Sequence, residues 1–365
     1  MARGSVFLIM HLFVFLYFKC FRISLEGPGN RFHFQEDCMR KSLLAGLCAM
    51  LFLAFAGSAS AAMALKLGHF GSENHPSNIA AKQFAQNVEK RTNGEIKIAI
   101  YPNNALGSPP EVLEQVIMGS IDMSLSGQDQ LAKHVRLFDS VGIPFSINGY
   151  DHMDRILDGP FKDWAAPQVD KLGLVFLSSW EWGFRQITNS KRPILSPDDV
   201  KGLKIRTPPA MSYQAAIEAL GGNVQTISFS ELVMAMRQGV VDGQENPISV
   251  IYDLKLYESQ PYISIVNYLY SSMCHLVSKR VWDKMTPEQQ KIVAEESDAA
   301  RLLMRKLVRD AEAQQIEEMK AKGIRIDTPD LAPFKAMMGP AYEKIKKNIG
   351  EENFNKWMEM AKATE

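Results

Sequence analysis

The sequence predicts an α/β protein built as two similar lobes facing one another. Three observations predict it. Strand-like and helix-like runs alternate from Leu65 to Ser126, in the order strand, helix, strand, helix, strand. Two segments echo one another: EVLEQVIMGSID (Glu111 to Asp122) and ELVMAMRQGVVD (Glu231 to Asp242) share a glutamate, an apolar helical face, a glycine eight residues on and an aspartate three later. Finally, a stretch without Gly or Pro runs from Glu288 to Lys322 and predicts one helix of about 55 Å, longer than a small domain.

Residues before Lys66 carry two apolar runs that do not belong to this fold. The second has the parts of a secretory signal peptide: Met39, Arg40 and Lys41 as a basic start, Leu43 to Ala56 as the apolar run, and Ala59-Ser60-Ala61 as a small-residue cleavage site. Because that segment begins with its own methionine, residues 1–38 read as an upstream extension from a misplaced start, and 39–61 as the signal peptide. The first run, Val6 to Phe18, is shorter than the ~20 apolar residues a membrane span needs. Cleavage after Ala61 removes six of the 41 basic and three of the 41 acidic residues, leaving 35 against 38. It also leaves Cys274 as the lone cysteine of four, so no internal disulfide is expected. A near-neutral chain with no Lys/Arg block gives no footprint for nucleic acid. The expected product is a soluble, exported, periplasmic protein.

Leu65 to Phe70 reads as the first strand and Ser72 to Ser77 as a polar turn. Ile79, Ala80, Phe84 and Val88 recur at helical spacing, and Asn93-Gly94 ends that helix. Ile96, Ile98 and Ile100 alternate as a half-buried strand; a helix follows from about Pro110 to Met118, closed by Gly119. Gly173 to Ser179 is an apolar strand running into WEWGFRQIT (Trp180 to Thr188). Ser196-Pro197-Asp198-Asp199 starts a helix that Gly202 ends. Leu203 to Arg206 is a short strand whose alternation puts Lys204 and Arg206 opposite Leu203 and Ile205. A helix from Met211 to Leu220, a strand at Val224 to Ile227, and a helix capped by Ser230 precede DGQENP (Asp242 to Pro247), which reads as a polar turn. Ile263 to Val277 is apolar and β-rich and leads back toward the first lobe. Thr286-Pro287-Glu288-Gln289 is a capping box that opens the long helix, and Pro329 to Glu365 reads as short amphipathic helices. The apolar positions Ile292, Val293, Leu302, Leu303 and Leu307 make no sustained heptad, so the long helix is expected to pack across the back of both lobes.

Two arginines stand out. Arg185 and Arg206 lie beside strand-like runs, near the amide and carboxylate side chains of the Asp242 to Pro247 segment. A guanidinium is permanently charged and presents a planar fork of donors, so this grouping predicts a cleft for a carboxylate ligand. The five histidines beyond the signal segment do not pair at zinc-ligand spacing, and there is no glycine-elbow serine or phosphate loop. No cofactor or metal is expected. An enzyme reading, a lyase or isomerase, would have to rest on Glu245 as base.

The segments KRTNGEIKI (Lys90 to Ile98), ALG (Ala105 to Gly107), FRQITNSKRPI (Phe184 to Ile194), DDVKGLKIRTP (Asp198 to Pro208) and FSELVMAMRQGVVDGQENP (Phe229 to Pro247), with the long helix, resemble the solute-binding subunits of tripartite ATP-independent periplasmic (TRAP) transporters, of the dicarboxylate-binding (DctP-like) family. The likeness covers Leu65 to Lys362. It implies a two-lobe periplasmic-binding-protein fold with hinge-crossing strands and a long helix spanning both lobes, with 64–183 plus 272–311 as lobe I and 184–271 plus 312–365 as lobe II. It implies that Arg206 forms a bidentate salt bridge with a ligand carboxylate, that Arg185 assists, that Asn246 adds an amide and that Phe229 lines the pocket. The partners it implies are a small carboxylate ligand and the small and large membrane subunits of the transporter, with the protein itself a monomer and not an enzyme. Where a family member carries an acidic residue after the first lobe's inner strand, this chain has Gly127, Gln128, Asp129 and Gln130. Trp180 and Trp182 beside Arg185, with Gln128, Gln130, His75, Glu73 and Glu245 as further polar candidates, point to a sugar acid such as glucuronate or galacturonate. A C4-dicarboxylate or a keto or hydroxy acid is the alternative, and a sensor partner of a membrane kinase is a third.

Overall fold

The computed structural model describes residues 62–365, so the proposed signal peptide and upstream extension lie outside the described residues. Two sheets organise the rest. The first holds β1 (Met63–His69), β2 (Ile96–Tyr101), β3 (Met123–Gly127), β4 (Leu174–Phe184) and β10 (Tyr270–Ser278) in the order β2-β1-β3-β10-β4. The second holds β5 (Gln186–Asn189), β6 (Lys204–Thr207), β7 (Asn223–Thr226), β8 (Gly243–Asn246), β9 (Tyr262–Ser264) and β11 (Arg325–Asp327) in the order β11-β9-β5-β8-β6-β7. In the first sheet β1 pairs parallel to β2 and β3 through strand–helix–strand crossovers, while β10 runs antiparallel to β3 and β4.

Three chain segments pass between the sheets: β4 to β5, β9 to β10, and β10 through a long helix to β11. One is a single residue, Arg185, between β4 and β5; its amide donates to the Leu269 carbonyl at 2.9 Å, and Leu269 belongs to the second crossing, from β9 to β10. The hinge is therefore two adjacent extended strands tied to each other.

The echoing helices behave as their sequences predict at the ends. Pro109–Met118 and Leu232–Arg237 are each followed by a glycine in the left-handed region, Gly119 at φ 77° and Gly239 at φ 68°. Ser108 and Glu111 form a capping box on the first. The second is preceded by a 3₁₀ turn, Phe229–Glu231, that starts after Ser228, so Ser230 lies inside that turn and is not the cap. Pro197–Val200 is likewise a single 3₁₀ turn, although Ser196 and Asp199 do form the expected box.

The larger correction concerns Asp242 to Pro247. Gly243–Asn246 is not a turn but β8, a fully buried inner strand of the second sheet, antiparallel to β5 and parallel to β6. Its polar side chains satisfy one another and their neighbours: Gln244 Nε2 donates to Thr188 Oγ1 at 2.9 Å, and Asn246 Nδ2 to Gln244 Oε1 at 2.5 Å. Burial without alternation is possible only because each group has a partner.

The long helix is continuous over Pro287–Ala321, 35 residues and thus roughly 52 Å. Thr286 and Gln289 close its capping box at 3.2 and 2.9 Å. It ties to the first lobe through Asn87 Nδ2 to Glu296 Oε2 (2.8 Å) and through Ser178 to Ser297 (2.7 Å), and to the second through the Tyr252 hydroxyl on Glu318. Leu302, expected on its packed face, is 56% exposed, whereas Met304 and Val308 are buried. The last helices, Gly339–Ile349 and Glu351–Ala363, also touch both halves: Lys344 pairs with Glu218 at 2.6 Å, and His152 Nε2 meets the Ala361 carbonyl at 2.8 Å.

Candidate ligand-binding site

A narrow cleft opens between the sheets, beside the hinge. From the second lobe come Arg206, Pro208, Tyr213, Phe229 and Asn246; from the first come Phe70, Gly127, Asp129, Gln130 and Trp182; Arg185 sits on the crossing itself, and Ser271 and Ser272 follow the return crossing.

The two arginines differ. Arg206 projects from β6 and is 1% exposed. Its Nε donates to the Ile227 carbonyl at 2.8 Å, and among the described residues no carboxylate lies within salt-bridge distance of it. Burial is the main influence on its guanidinium; Glu245 favours the charge and Arg185 opposes it, and the pKa falls to about 10, so it remains cationic at neutral pH. Arg185, by contrast, is saturated. Its Nε pairs with Glu245 Oε2, and its Nη2 donates to Glu245 Oε1 (3.0 Å), to the Glu245 carbonyl (2.5 Å) and to Asn246 Oδ1 (2.9 Å). Its Nη1 reaches Ser271 Oγ at 3.3 Å. Burial would lower its pKa, but Glu245, with Tyr213 and Tyr268, more than offsets that and raises it.

Of the residues singled out from sequence, the cleft brings together Arg206, Arg185, Asn246, Phe229, Trp182 and Gln130. Five others stand elsewhere: Trp180 is fully buried away from the cleft, its Nε1 donating to Ser178 Oγ at 3.0 Å. Glu245 is behind the cleft wall, with Arg185 and the Tyr268 hydroxyl (2.8 Å) on its carboxylate, which leaves it poorly placed to act as a base. Gln128 is a brace: its Oε1 accepts from Ser272 N at 2.9 Å and Ser272 Oγ at 2.7 Å. His75 caps the helix Pro76–Arg91 through its Nδ1 and packs its ring 4.5 Å from Trp182, with its pKa pushed down to about 3 by burial. Glu73 is exposed and paired with Lys82 at 3.0 Å. The sequence reading missed Tyr213, Phe70 and the serines of β10, whose signals are indistinguishable from core or strand patterning.

Rings close the cleft across the lobes. Phe229 approaches Phe70 at 5.2 Å and Trp182 at 5.9 Å between centroids, and Phe70 meets Trp182 at 4.7 Å. Opposite Arg206, Asp129 and Gln130 lie on the short helix Gln128–Leu131, with Gln130 Nε2 donating to the Asp129 carboxylate.

Two lobes joined by extended crossings, with a buried unpaired guanidinium between them, define the class of two-lobe solute-binding proteins. The family described as "Bacterial extracellular solute-binding protein, family 7" matches residues 67–348, and the chain belongs to that family, the solute-binding subunits of TRAP transporters. It is 32% identical over 285 residues to the 2,3-diketo-L-gulonate-binding periplasmic protein YiaO of Escherichia coli (strain K12), covering 78% of this chain and 85% of that one. Among solved structures, it is similar to the sugar acid binding protein DctPAm of Advenella mimigardefordensis in complex with galactonate, at a TM-score of 0.80 and 27% identity, covering 83% and 99% of the two chains. It is also similar to a TRAP periplasmic solute-binding protein from Sulfurospirillum deleyianum with bound succinate, at a TM-score of 0.77 and 28% identity, covering 84% and 100%. Such proteins bind small acids.

Proposed function

We propose that this chain is a periplasmic binding protein that captures a sugar acid, with a uronate such as glucuronate or galacturonate as the leading candidate. It delivers that ligand to the membrane subunits of a TRAP transporter, acts as a monomer and performs no catalysis. The observation that carries the reading is Arg206: a 1% exposed guanidinium with no acidic partner among the described residues. A ligand carboxylate in the cleft would supply the missing charge as a bidentate, charge-assisted pair in a water-poor space. Phe70, Trp182 and Phe229 offer aromatic faces for the apolar side of a sugar ring, and Asp129 and Gln130 offer acceptors for its hydroxyls. Support for a sugar acid also comes from the galactonate complex of the similar protein DctPAm. A C4-dicarboxylate is less well served, because Arg185, the second cation of the cleft, is already held by Glu245.

Isothermal titration with D-glucuronate, D-galacturonate, D-galactonate and succinate tests the reading. We expect at least one sugar acid to bind and the Arg206→Ala variant to lose ~2–5 kcal/mol of that affinity. Near-normal binding by the variant would remove Arg206 as the anchor.

A further inference from the structure

The first-lobe wall of the cleft bears a carboxylate, and its position is built into the local chain. Gly127 ends β3, and a Cβ at that position would collide with Asp129 Oδ1, so the absent side chain makes the room that the carboxylate occupies. The helix carrying Asp129 is fastened to β10 through Gln128 and Ser272. Among the described residues no cation lies within salt-bridge distance of Asp129. Gln130 spends its amide N–H on that carboxylate, and its Oε1 remains buried with no hydrogen-bond partner, in a side chain 6% exposed.

The wall facing Arg206 therefore offers acceptors. An ionised carboxylate and an amide oxygen can each receive a ligand hydroxyl, whereas a ligand carboxylate has no proton to give them. We propose that Asp129 is a charge filter, so that the cleft takes monocarboxylic polyhydroxy acids and rejects acids bearing a second carboxylate. This rests on Arg206 as the carboxylate anchor. With Arg185 matched by Glu245 and Arg206 facing Asp129, one incoming carboxylate brings the cleft to a net charge of −1. A second would stand against Asp129 with no free cation to meet it, and like charges apposed in a desolvated interface repel. Burial raises the Asp129 pKa on balance, although Arg185, the Gln130 amide and Arg206 oppose that rise.

Matched acids test this by titration calorimetry: D-galactonate against galactarate and D-gluconate against D-glucarate, each pair differing by a terminal CH₂OH in place of a carboxylate, together with D-glucuronate and succinate. Wild-type protein is expected to bind a monocarboxylate at least about tenfold more tightly than its dicarboxylate partner. In Asp129→Asn the gap should shrink by about tenfold or more, the dicarboxylate gaining affinity in absolute terms. Equal affinities within the pairs in the wild type, or an unchanged gap in a folded Asp129→Asn variant, would overturn the filter while leaving Arg206 as anchor. If Asp129→Asn does not fold, the wild-type pairs decide alone. Binding of none of these acids, or undiminished binding by Arg206→Ala, would bring down the carboxylate reading and the filter with it.

Discussion

Glu245 grips Arg185 through two guanidinium nitrogens, while Arg206, in the same cleft, meets no carboxylate among the described residues. A buried ion pair adds little net stability over an apolar pair, but removing one partner strands the other charge. Glu245→Gln is therefore expected to lower stability by ~3–5 kcal/mol in urea unfolding, with the hinge as the damaged region. A loss below about 1 kcal/mol would mean that Arg185 finds another partner. His275 offers a cleaner pH test. It is fully buried, its Nδ1 lies 2.8 Å from Ser297 Oγ, and burial pushes its pKa from 6.5 down to about 3. Its stability contribution is thus present above about 6.5 and is lost as the pH falls from there toward about 3, because the unfolded imidazole takes up a proton that the folded one refuses. His275→Gln should make the decline in unfolding free energy between pH 6 and 4 shallower by about 1.4 kcal/mol per pH unit, read from urea melts; parallel pH profiles would refute this.

At the level of elements, β8 is both the structural centre of the second sheet and the place where sequence reading erred. Gly-Gln-Glu-Asn has no alternation and every mark of a surface turn. What makes it a strand is Thr188, Gln186 and Arg185 on the neighbouring chain, a tertiary fact that no local pattern carries. Gly243 is where β8 passes closest to its neighbours: a Cβ there would collide with the Thr188 carbonyl and lie 2.8 Å from Ile205 Cδ1. Gly243→Ala should cost ~1–3 kcal/mol, visible as a lower urea midpoint, and a neutral result would show that the sheet yields there. The alternating strands, the glycine-ended echo helices and the capped long helix were legible because period, cap and breaker all lie in local sequence. Arg206 was legible as a cation on one face of a short alternating strand. Asp129 was visible only as part of a polar run, since its exposure to the cleft depends on a glycine two residues earlier and on a serine of β10. His75 was misleading for a similar reason: a loop histidine next to the first strand turns inward to cap a helix and back Trp182.

On the scale of the whole molecule, a ligand shifts the open and closed populations only by its differential affinity for them. The rings of Phe70, Trp182 and Phe229 touch across the lobes, so opening must part them. Of five tryptophans, Trp182 alone lines the cleft among the described residues. Saturating ligand should therefore change the intrinsic emission of the wild type, and Trp182→Phe should abolish most of that change; an undiminished change would assign the signal to a tryptophan outside the cleft. The end of the chain bears on how such work is done. Arg155 Nε holds the Thr364 carbonyl at 2.6 Å and Asn148 Nδ2 holds the Glu365 side chain at 2.6 Å, while Lys344 of the helix Gly339–Ile349 pairs with Glu218 of the second lobe. An affinity tag or fluorescent fusion attached at Glu365 would thus pull on a strap that bridges the moving halves, and purification handles or reporter dyes are better placed on an exposed site within one lobe.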